Sequence, residues 1–288
     1  MTRVLGVIGH PIAHSLSPTM HHAAFEALGL DAVYAPFDVP PAQLANVISG
    51  LDACGIDGLN VTVPHKARVA RLLRGSLDPV SRSLGAVNTI VRRNGKLFGH
   101  NTDVVGFAQA LRQMRVTVRG GTVVVFGAGG AARAVVWALL RERPLKIVLA
   151  NRTASRAAAL AAWARRMTPA ARCLEVAPDG LSTPFLRLEV ALAALVVNAT
   201  SLGLKAGDPL PVDARWIRKG CAVVDLVYRA PTTPLVAAAR RRGLLATDGL
   251  AMLVYQGAES FRLWWDRPAP VDVMRQAVER AVKQRNRS

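Results

Sequence analysis

Short apolar runs alternate with stretches of helical spacing through the first part of the chain. The apolar runs predict a strand that begins near residue 4 and two more strands at 32–39 and 58–63. The stretch 41–55 between the second and third strands has helical spacing. Strands that alternate with helices in this way indicate parallel strands covered by helices.

Turn and capping residues punctuate this pattern. Ser17 is predicted as the N-cap of the first helix, with Pro18 at its first helical position and Gly29 just past its end. After a further helix around 67–73, two short β segments follow, joined by the turn sequence Asn94-Gly95.

A second unit of the same kind begins at about residue 106 with a helix. A β-branched strand at 122–126 runs into a glycine loop and directly into another helix. Later apolar runs continue the pattern of a doubly wound sheet, at 145–152, 171–176, 194–203 and 221–228. From 249 to the end the spacing is helical.

The predicted fold is therefore α/β with two domains. Residues 1–105 and the C-terminal helices at 245–288 together form an α/β domain with a parallel-type sheet. Residues 106–244 form a Rossmann-like domain. No internal repeat or low-complexity linker interrupts them.

Composition limits the class of protein. With 288 residues, 51% of them hydrophobic, the chain can bury a substantial core. No apolar run reaches the ~18 to 20 residues of a membrane helix, and the N-terminus lacks a signal-type cleavage region. Cys54, Cys173 and Cys221 are odd in number and far apart, which favours neither a disulfide framework nor a thiolate zinc site. We expect a cytoplasmic protein.

A formal charge of +18 raises the question of a polyanionic partner. The arginines are dispersed along Ala-rich helical stretches, however, and aromatic residues make up only 5% of the chain and are not interleaved with them. Solvated basic faces, or a compositional bias of the source genome, account for this charge. We expect no nucleic-acid and no membrane partner.

The glycine loop after the 122–126 strand predicts a dinucleotide site. Residues Gly127, Ala128, Gly129, Gly130, Ala131 and Ala132 read G-x-G-x-x-A between a strand and a helix. Such glycines allow a tight turn and let backbone N–H groups approach a pyrophosphate at the helix N-terminus. A glycine turn without a ligand is the alternative.

The end of the next strand indicates which dinucleotide is bound. An Asp or Glu there would hold the ribose 2′-hydroxyl of NAD, but the chain has Asn151, followed by Arg152 and Arg156. Guanidinium groups suit a 2′-phosphate, so NADP is favoured over NAD. The alternative is that these are two more arginines in an arginine-rich chain.

The sequence resembles the shikimate dehydrogenase family along nearly its whole length. Nine stretches match in order: HSLSP (14–18), NVTVPHK (60–66), GAVNT (85–89), NTDVVGF (101–107), GAGGAARA (127–134), NRTASR (151–156), NATSLG (198–203), DLVY with TPL (225–228, 233–235) and LVYQGA (253–258). The resemblance implies an NADP-dependent oxidoreductase that interconverts 3-dehydroshikimate and shikimate, in aromatic amino-acid (chorismate) biosynthesis.

The resemblance also implies a catalytic pair, Lys66 and Asp103. Hydride addition to a ketone builds negative charge on oxygen, so a proton donor or cation is needed beside it. Of the 37 basic residues only six are lysine, and lysine, unlike arginine, is able to give up its proton. Alternatively, Lys66 is a surface residue after a strand and Asp103 a helix N-cap.

Further site residues follow from the same matches. Ser15 and Ser17 are expected to hold the substrate carboxylate, although Ser17 is also the natural N-cap, and Asn88 and Asn101 could instead hold turns. The expected substrate residues are Ser15, Ser17, Thr62, Asn88, Asn101, Tyr228 and Gln256. The expected cofactor residues are Gly127, Ala128, Gly129, Gly130, Ala131, Asn151, Arg152, Thr153, Arg156, Thr200, Leu226, Gly249 and Met252. Thr200, Leu226 and Met252 would line the nicotinamide side, or be ordinary strand-end or core residues.

Three alternatives to this function stay open. The first is a quinate/shikimate dehydrogenase, or a paralogue acting on a related cyclic hydroxy acid, because a single pocket contact could admit quinate. The second is a non-catalytic ligand-binding protein of the same fold, which would not need Lys66 and Asp103. The third is a basic nucleic-acid binder, which would show salt-dependent retention on DNA. The six histidines lack metal-ligand spacing, so no metal is expected. We expect a monomer or homodimer whose partner is a small-molecule substrate, bound in a cleft between the domains.

Overall fold

The computed structural model describes residues 2–167, 174–176, 184–229 and 231–285. The chain divides into two compact units, the first made of Met1–Gly106 with Leu253–Gln284 and the second of Phe107–Met252 with Arg285–Ser288. Two helices, 103–113 and 250–265, have residues in both units.

Within the described residues, the first unit holds one mixed sheet of five strands. They are β1 (Arg3–Gly9), β2 (Ala32–Asp38), β3 (Ile56–Val61), β4 (Thr89–Arg93) and β5 (Lys96–His100), in the spatial order β2-β1-β3-β4-β5. β2, β1 and β3 are parallel, as predicted, whereas β4 is antiparallel to both β3 and β5. The predicted hairpin turn is confirmed, with positive φ at Asn94 and Gly95. Strands β1, β3 and β5 therefore point the same way.

Helices pack on this sheet. They are α1 (Ser17–Ala27), α2 (Leu44–Gly50), α3 (Lys66–Leu72) and α4 (Pro79–Leu84), joined by the C-terminal helices α10 (Leu250–Trp265) and α11 (Val271–Arg285). A core of apolar side chains that includes Ile8, Leu44 and Leu59 lies between sheet and helices.

The predicted capping of α1 is wrong at one end and confirmed at the other. Ser17 is the first helical residue, and Leu16 occupies the N-cap position without a side-chain bond. The reason is that the hydroxyl of Ser15 already accepts from the N–H of Ser17 at 3.2 Å, and Pro18 has no N–H to cap. Gly29, with φ +60°, ends the helix as predicted.

The second unit holds a parallel sheet. Its described strands are β6 (Thr122–Phe126), β7 (Lys146–Ala150), β8 (Leu174–Val176), β9 (Ala193–Asn198), β10 (Ala222–Asp225) and β11 (Ala246–Thr247), in the order β11-β10-β9-β6-β7-β8. This is the predicted doubly wound sheet, and β6 has the predicted bounds. Part of the predicted strand 171–176, residues 171–173, lies outside the described residues.

The helices of the second unit are α5 (Asp103–Gln113), α6 (Gly130–Arg141), α7 (Ala154–Met167), α8 (Pro184–Leu192) and α9 (Pro234–Arg241). A core that includes Phe126, Val196 and Leu235 fills the space against the sheet. Because β11 pairs with β10, residues 246–247 lie in the second sheet, and the division between the units falls after Met252 rather than at 245.

Candidate functional site

Strand direction gathers polar residues at one edge of the first unit's sheet. The carboxyl ends of β1, β3 and β5 share this edge, and the amino end of β4 lies there too, since Thr89 is paired with both Asn60 and His100. The segments that leave or enter this edge carry most of the predicted residues of the unit: Ser15 and Ser17 after β1, Thr62 and Lys66 after β3, Asn88 before β4, and Asn101 and Asp103 after β5.

Lys66 and Asp103 form an ion pair at this edge. Each is the first residue of a helix, Lys66 of α3 and Asp103 of α5, and Lys66 Nζ lies 2.6 Å from Asp103 Oδ2. The lysine side chain is 21% exposed and the aspartate side chain 7%. The carboxylate is thus buried while the ammonium keeps access to a ligand, the arrangement expected of a proton donor held by a buried anion.

The second oxygen of the Asp103 carboxylate is also bound. Asn88 Nδ2 donates to Asp103 Oδ1 at 2.8 Å, and the Asn88 Oδ1 accepts from the N–H of Thr102 at 2.7 Å. Because an N–H can only donate, this contact fixes which end of the Asn88 carboxamide faces Asp103. Gln256, from α10, lies at the edge of the cluster, with Oε1 3.3 Å from Asn88 Nδ2.

Asn101 holds the turn that leads to Asp103. Its Oδ1 accepts from the N–H of Asp103 at 3.1 Å, and its Nδ2 donates to the carbonyl of Ala86 at 3.0 Å. Asp103 is therefore not an N-cap. It is the first helical residue, and its side chain bonds Lys66 and Asn88.

A buried polar network behind the pair was missed by sequence reasoning. Ser260 Oγ, on α10, lies 2.8 Å from Thr89 Oγ1 and 2.9 Å from Asn60 Nδ2, and Asn60 Oδ1 accepts from the hydroxyl of Tyr34 at 2.7 Å. Thr102 Oγ1 is 3.2 Å from the same serine. Asn60 and Thr89 stand inside matched stretches. Tyr34 carries no local signal because it is one polar residue in an apolar strand, and Ser260 lies just past the matched stretch 253–258.

Ser17 lies next to Tyr34 at the start of α1. Burial raises the pKa of the Tyr34 hydroxyl, and the Ser17 side chain acts in the opposite direction. Ser17 is buried and Ser15 half-buried. The hydroxyl of Thr62, half-buried after β3, makes no hydrogen bond to another described residue. These hydroxyls and the Lys66 ammonium suit a ligand that combines an anion with several hydroxyls.

The buried and half-buried histidines are set apart by their surroundings. His65 is buried, and its Nε2 lies 2.7 Å from the carbonyl oxygen of Val39. Burial lowers the pKa of His100. Burial likewise lowers the pKa of His21 to about 3. The described residues contain no group of three or more His, Cys, Asp or Glu side chains that could hold a metal ion.

In the second unit, the glycine loop lies between β6 and α6. Gly127 has φ +111°, and a Cβ there would lie 2.7 Å from the carbonyl oxygen of Ala199, so the fold itself requires this glycine. Gly129 and Gly130 differ, because no described atom comes within 4 Å of a Cβ built on either. α6 begins at Gly130 with no side-chain cap. No described side chain caps its first N–H groups, and the space over the two glycines is open, which fits a pyrophosphate.

The loop after β7 carries the predicted selectivity residues. Asn151 Nδ2 donates to the carbonyl of Thr153 at 2.9 Å, which shapes the turn into α7. Arg152 and Arg156 are exposed, and neither forms an ion pair with a described carboxylate. Both guanidinium groups are therefore available to an anionic ligand.

The remaining predicted residues lie near the carboxyl ends of β9 and β10. Thr200 donates its hydroxyl to Asn198 Oδ1 at 2.6 Å, and Met252 is buried. A Cβ on Gly249 would overlap the carbonyl of Leu226, so this glycine permits close approach of two backbone segments. Tyr228 is half-buried in the second unit, and burial raises the pKa of its hydroxyl.

The described part of the chain has no membrane-spanning helix and contains two of the three cysteines. None of their helices is both long and apolar enough to cross a membrane. Cys54 and Cys221 are free thiols, whereas Cys173 lies outside the described residues.

Family models match three parts of the chain: the shikimate dehydrogenase substrate binding domain at residues 7–90, shikimate/quinate 5-dehydrogenase at 109–179, and the shikimate 5'-dehydrogenase C-terminal domain at 249–279. The shikimate dehydrogenase (NADP(+)) of Symbiobacterium thermophilum is 47% identical over 285 residues, which cover 98% of this chain and 95% of that protein.

Solved structures agree. A shikimate dehydrogenase in complex with NADP+ has a TM-score of 0.89 and 36% identity, covering 98% of this chain and 96% of the other. Shikimate 5-dehydrogenase from Thermus thermophilus, in complex with NADP(H) and shikimate, has a TM-score of 0.86 and 36% identity, covering 97% and 99%. With two α/β units, the matching motifs and this similarity over the whole length, the chain belongs to the shikimate dehydrogenase family.

Proposed function

We propose that this protein catalyses the reversible, NADP-dependent reduction of 3-dehydroshikimate to shikimate, a step of aromatic amino-acid biosynthesis. The observation that carries the proposal is the Lys66–Asp103 ion pair, with Nζ and Oδ2 2.6 Å apart at the polar edge of the first unit. The curated relatives act as NADP(+)-dependent shikimate dehydrogenases, which supports the same activity here.

Lys66 would give a proton to the ketone oxygen of the substrate. The lysine carries three N–H donors, and one of them is directed to Asp103, which leaves others for the ligand. The buried Asp103 carboxylate would hold the ammonium in place and accept from a substrate hydroxyl. Removing either group should lower the rate on the order of 10²-fold or more.

The first unit would bind the substrate. Ser15 and Ser17, at the start of α1, would hold its carboxylate. The residues that would contact its ring hydroxyls are Thr62, Asn88, Asn101 and Gln256, and the resemblance adds Tyr228. Thr62 is suited to direct contact because its hydroxyl is unbonded among the described residues. Asn101 would act mainly by holding the Asp103 turn, since its two amide atoms already bond backbone groups.

The second unit would bind NADP, which supplies the hydride when bound. The open space over Gly129 and Gly130 fits the pyrophosphate. The cofactor residues predicted from the sequence would then divide along the sheet. Asn151, Arg152, Thr153 and Arg156 would hold the 2′-phosphate, and Thr200, Leu226, Gly249 and Met252 would line the nicotinamide side. Gly127, Ala128 and Ala131 would complete the loop between them.

The same residues argue against NAD as the preferred cofactor. No carboxylate stands at the end of β7 where one would hold a ribose 2′-hydroxyl, and two exposed arginines follow. We also propose that the protein works in the cytoplasm as a monomer or homodimer on a small-molecule substrate, with the free thiols of Cys54 and Cys221 suited to a reducing compartment.

The experiment is a two-by-two assay of nicotinamide absorbance, with shikimate or quinate as substrate and NADP+ or NAD+ as acceptor. We expect turnover chiefly with shikimate and NADP+, lost in Lys66→Gln and retained in the matched control Lys96→Gln, an exposed lysine in the β4–β5 hairpin. Turnover chiefly with quinate or NAD+ would assign the protein to the quinate-oxidising members. Absence of turnover in all four pairings would indicate a binding protein.

A further inference from the structure

A carboxylate and a carboxamide are paired side by side at the ends of two neighbouring strands of the second unit. Asn198 ends β9 and Asp225 ends β10, and the two residues are register partners. Asn198 Nδ2 donates to Asp225 Oδ1 at 2.8 Å. Both residues are fully buried. Neither side chain can therefore touch a ligand, and any role in binding must be exerted through the backbone that it holds.

Asn198 orders the segment 199–203, here called the β9 loop. Its Oδ1 accepts both the N–H of Thr200, at 3.1 Å, and the hydroxyl of Thr200, at 2.6 Å. Its Nδ2 also donates to the carbonyl of Leu202 at 3.0 Å, and the Leu202 N–H returns to Thr200 Oγ1 at 3.1 Å. One side chain thus holds two positions of this loop, Thr200 and Leu202.

Asp225 connects that loop to the segment 226–229, here called the β10 loop. The oxygen that accepts from Asn198 also accepts from the N–H of Val227 at 3.1 Å. In addition, the Leu226 N–H donates to the backbone carbonyl of Asn198 at 2.9 Å. One carboxylate oxygen therefore serves both loops, and if it were lost a buried N–H would remain unsatisfied.

The glycine loop is in contact with the same assembly. The N–H of Ala199 donates to the carbonyl of Phe126 at 2.7 Å, and Gly127 lies against the backbone of Ala199. The ends of β6, β9 and β10 thus form one connected platform, with the Asn198–Asp225 pair under its β9 and β10 side.

The order of the strands indicates which half of a dinucleotide this platform faces. In a doubly wound sheet the ligand lies across the carboxyl ends of the strands, with its pyrophosphate at the glycine loop. β7, whose loop carries Asn151 and Arg152, lies on one side of β6, and β9 and β10 lie on the other. If the 2′-phosphate end is over β7, the nicotinamide end must be over β9 and β10.

We infer that Asp225 and Asn198 are positioning residues for the nicotinamide half of the cofactor, acting through the β9 and β10 loops. The inference rests on the proposed binding of NADP to this unit. It goes further, because it states that this buried pair sets the conformation of both loops and does not affect binding of the 2′-phosphate end.

The test compares a whole cofactor with a fragment that lacks nicotinamide. Fluorescence titration measures the Kd of NADPH, and competition measures that of 2′,5′-ADP, which keeps the 2′-phosphate. In Asp225→Leu the Kd of NADPH should rise about 10-fold, the equivalent of one buried hydrogen-bonded group, and the Kd of 2′,5′-ADP should stay unchanged. Asp225→Asn keeps the accepting oxygen and should bind both as the wild type does. Glu142→Leu, at an exposed acid of the same unit, is the control.

A reciprocal exchange keeps the test decisive if Asp225→Leu does not fold. Asn198→Asp alone sets two carboxylates against each other and should weaken NADPH binding. Adding Asp225→Asn restores one donor between the pair, and should recover most of the affinity. Equal weakening of NADPH and 2′,5′-ADP, no weakening of either, or failure of the exchange to improve on Asn198→Asp would overturn the inference. Because these are binding measurements, they stand whether or not shikimate is turned over. Failure of the wild type to bind NADPH would instead overturn the proposed function.

Discussion

His21 provides a prediction about stability that can be worked out from the structure. It lies on α1 and is fully buried, stacked on Tyr34 with ring centroids 4.5 Å apart and beside Trp264 at 5.3 Å. Neither ring nitrogen has a hydrogen-bond partner among the described residues. Burial is the main cause that lowers its pKa from 6.5 to about 3. The neighbouring His22 acts in the same direction and Asn60 in the opposite one.

The sign of the pH dependence follows from this shift. Below pH 6.5 the unfolded chain binds a proton at this histidine, while the folded protein binds it only near pH 3. The free energy of unfolding therefore has its full value above pH 6.5 and falls as the pH is lowered toward 3. At 1.36 kcal/mol per pKa unit, the loss from this group is about 3 kcal/mol at pH 4.5 and about 5 kcal/mol in full.

The perturbation is His21→Phe, which keeps an aromatic ring in the stack and removes both ring nitrogens. Urea unfolding of wild type and variant at pH 7.5 and pH 4.5 gives the difference in unfolding free energy at each pH. That difference should shift by about 3 kcal/mol in favour of the variant on acidification. Subtraction between the two proteins removes the contribution of all other titrating groups. Leu72→Ala, at an exposed residue that does not titrate, is the control and should show the same difference from the wild type at both pH values.

A direct readout is the imidazole chemical shift of His21 followed by NMR. The ring should remain neutral at pH 4.5. A titration midpoint near 6.5, or a His21→Phe stability difference that is the same at both pH values, would refute the reasoning from burial.

Three further predictions concern packing and cofactor binding. Gly58→Ala should lower the free energy of unfolding by roughly 2 kcal/mol, because a Cβ would overlap the Trp264 indole, whose Nε1–H donates to the Ile90 carbonyl at 2.9 Å. An unchanged urea midpoint of unfolding would contradict this. Gly129→Val should leave stability within about 1 kcal/mol, because no described atom lies near its Cβ, yet weaken NADPH binding by at least about 10-fold; equal NADPH affinity would place the pyrophosphate elsewhere. Arg156→Ala should raise the Kd of NADP+ about 10-fold with that of NAD+ unchanged, and parallel changes in both would exclude a role at the 2′-phosphate.

Much of the fold could be predicted because local pattern and tertiary structure agree. β6 is a β-branched run that is buried on both faces, and glycines stand at both of its ends. The apolar run and the flanking glycines therefore predict the same bounds. The parallel order of the first three strands follows from the helices between them. The two-residue strand β11 could not be predicted, because it exists by virtue of its pairing with β10.

One helix was missed although its signals are present in the sequence. α4 has Asp78 as its N-cap, whose carboxylate accepts from the N–H of Ser81, and Pro79 follows it. Gly85 ends the helix with φ +61°. Because the helix has only six residues, it lacks the periodic apolar stripe on which helix prediction depends, although its caps mark both ends.

The candidate site divides along similar lines. Lys66 and Asp103 stand 37 positions apart, and motif resemblance names them before any geometry is known. Ser260, by contrast, lies 200 residues from Asn60 and 171 from Thr89. Ser260 could not be predicted as part of the polar network, because its contacts are with residues distant in sequence. Ser17 was wrongly predicted as an N-cap because two serines compete for one helix start, and only the backbone conformation shows that Ser15 provides the oxygen.

Lys66 is proposed to act on the substrate and not merely to stabilise the fold. The most direct measurement is kcat for shikimate oxidation by NADP+ in Lys66→Gln beside Lys96→Gln, with the Kd of NADPH determined on the same preparations. We expect Lys66→Gln to lose kcat on the order of 10²-fold or more while it keeps the NADPH affinity of the wild type, and we expect Lys96→Gln to keep full activity. A Lys66→Gln protein that turns over within a few-fold of the wild type would contradict it.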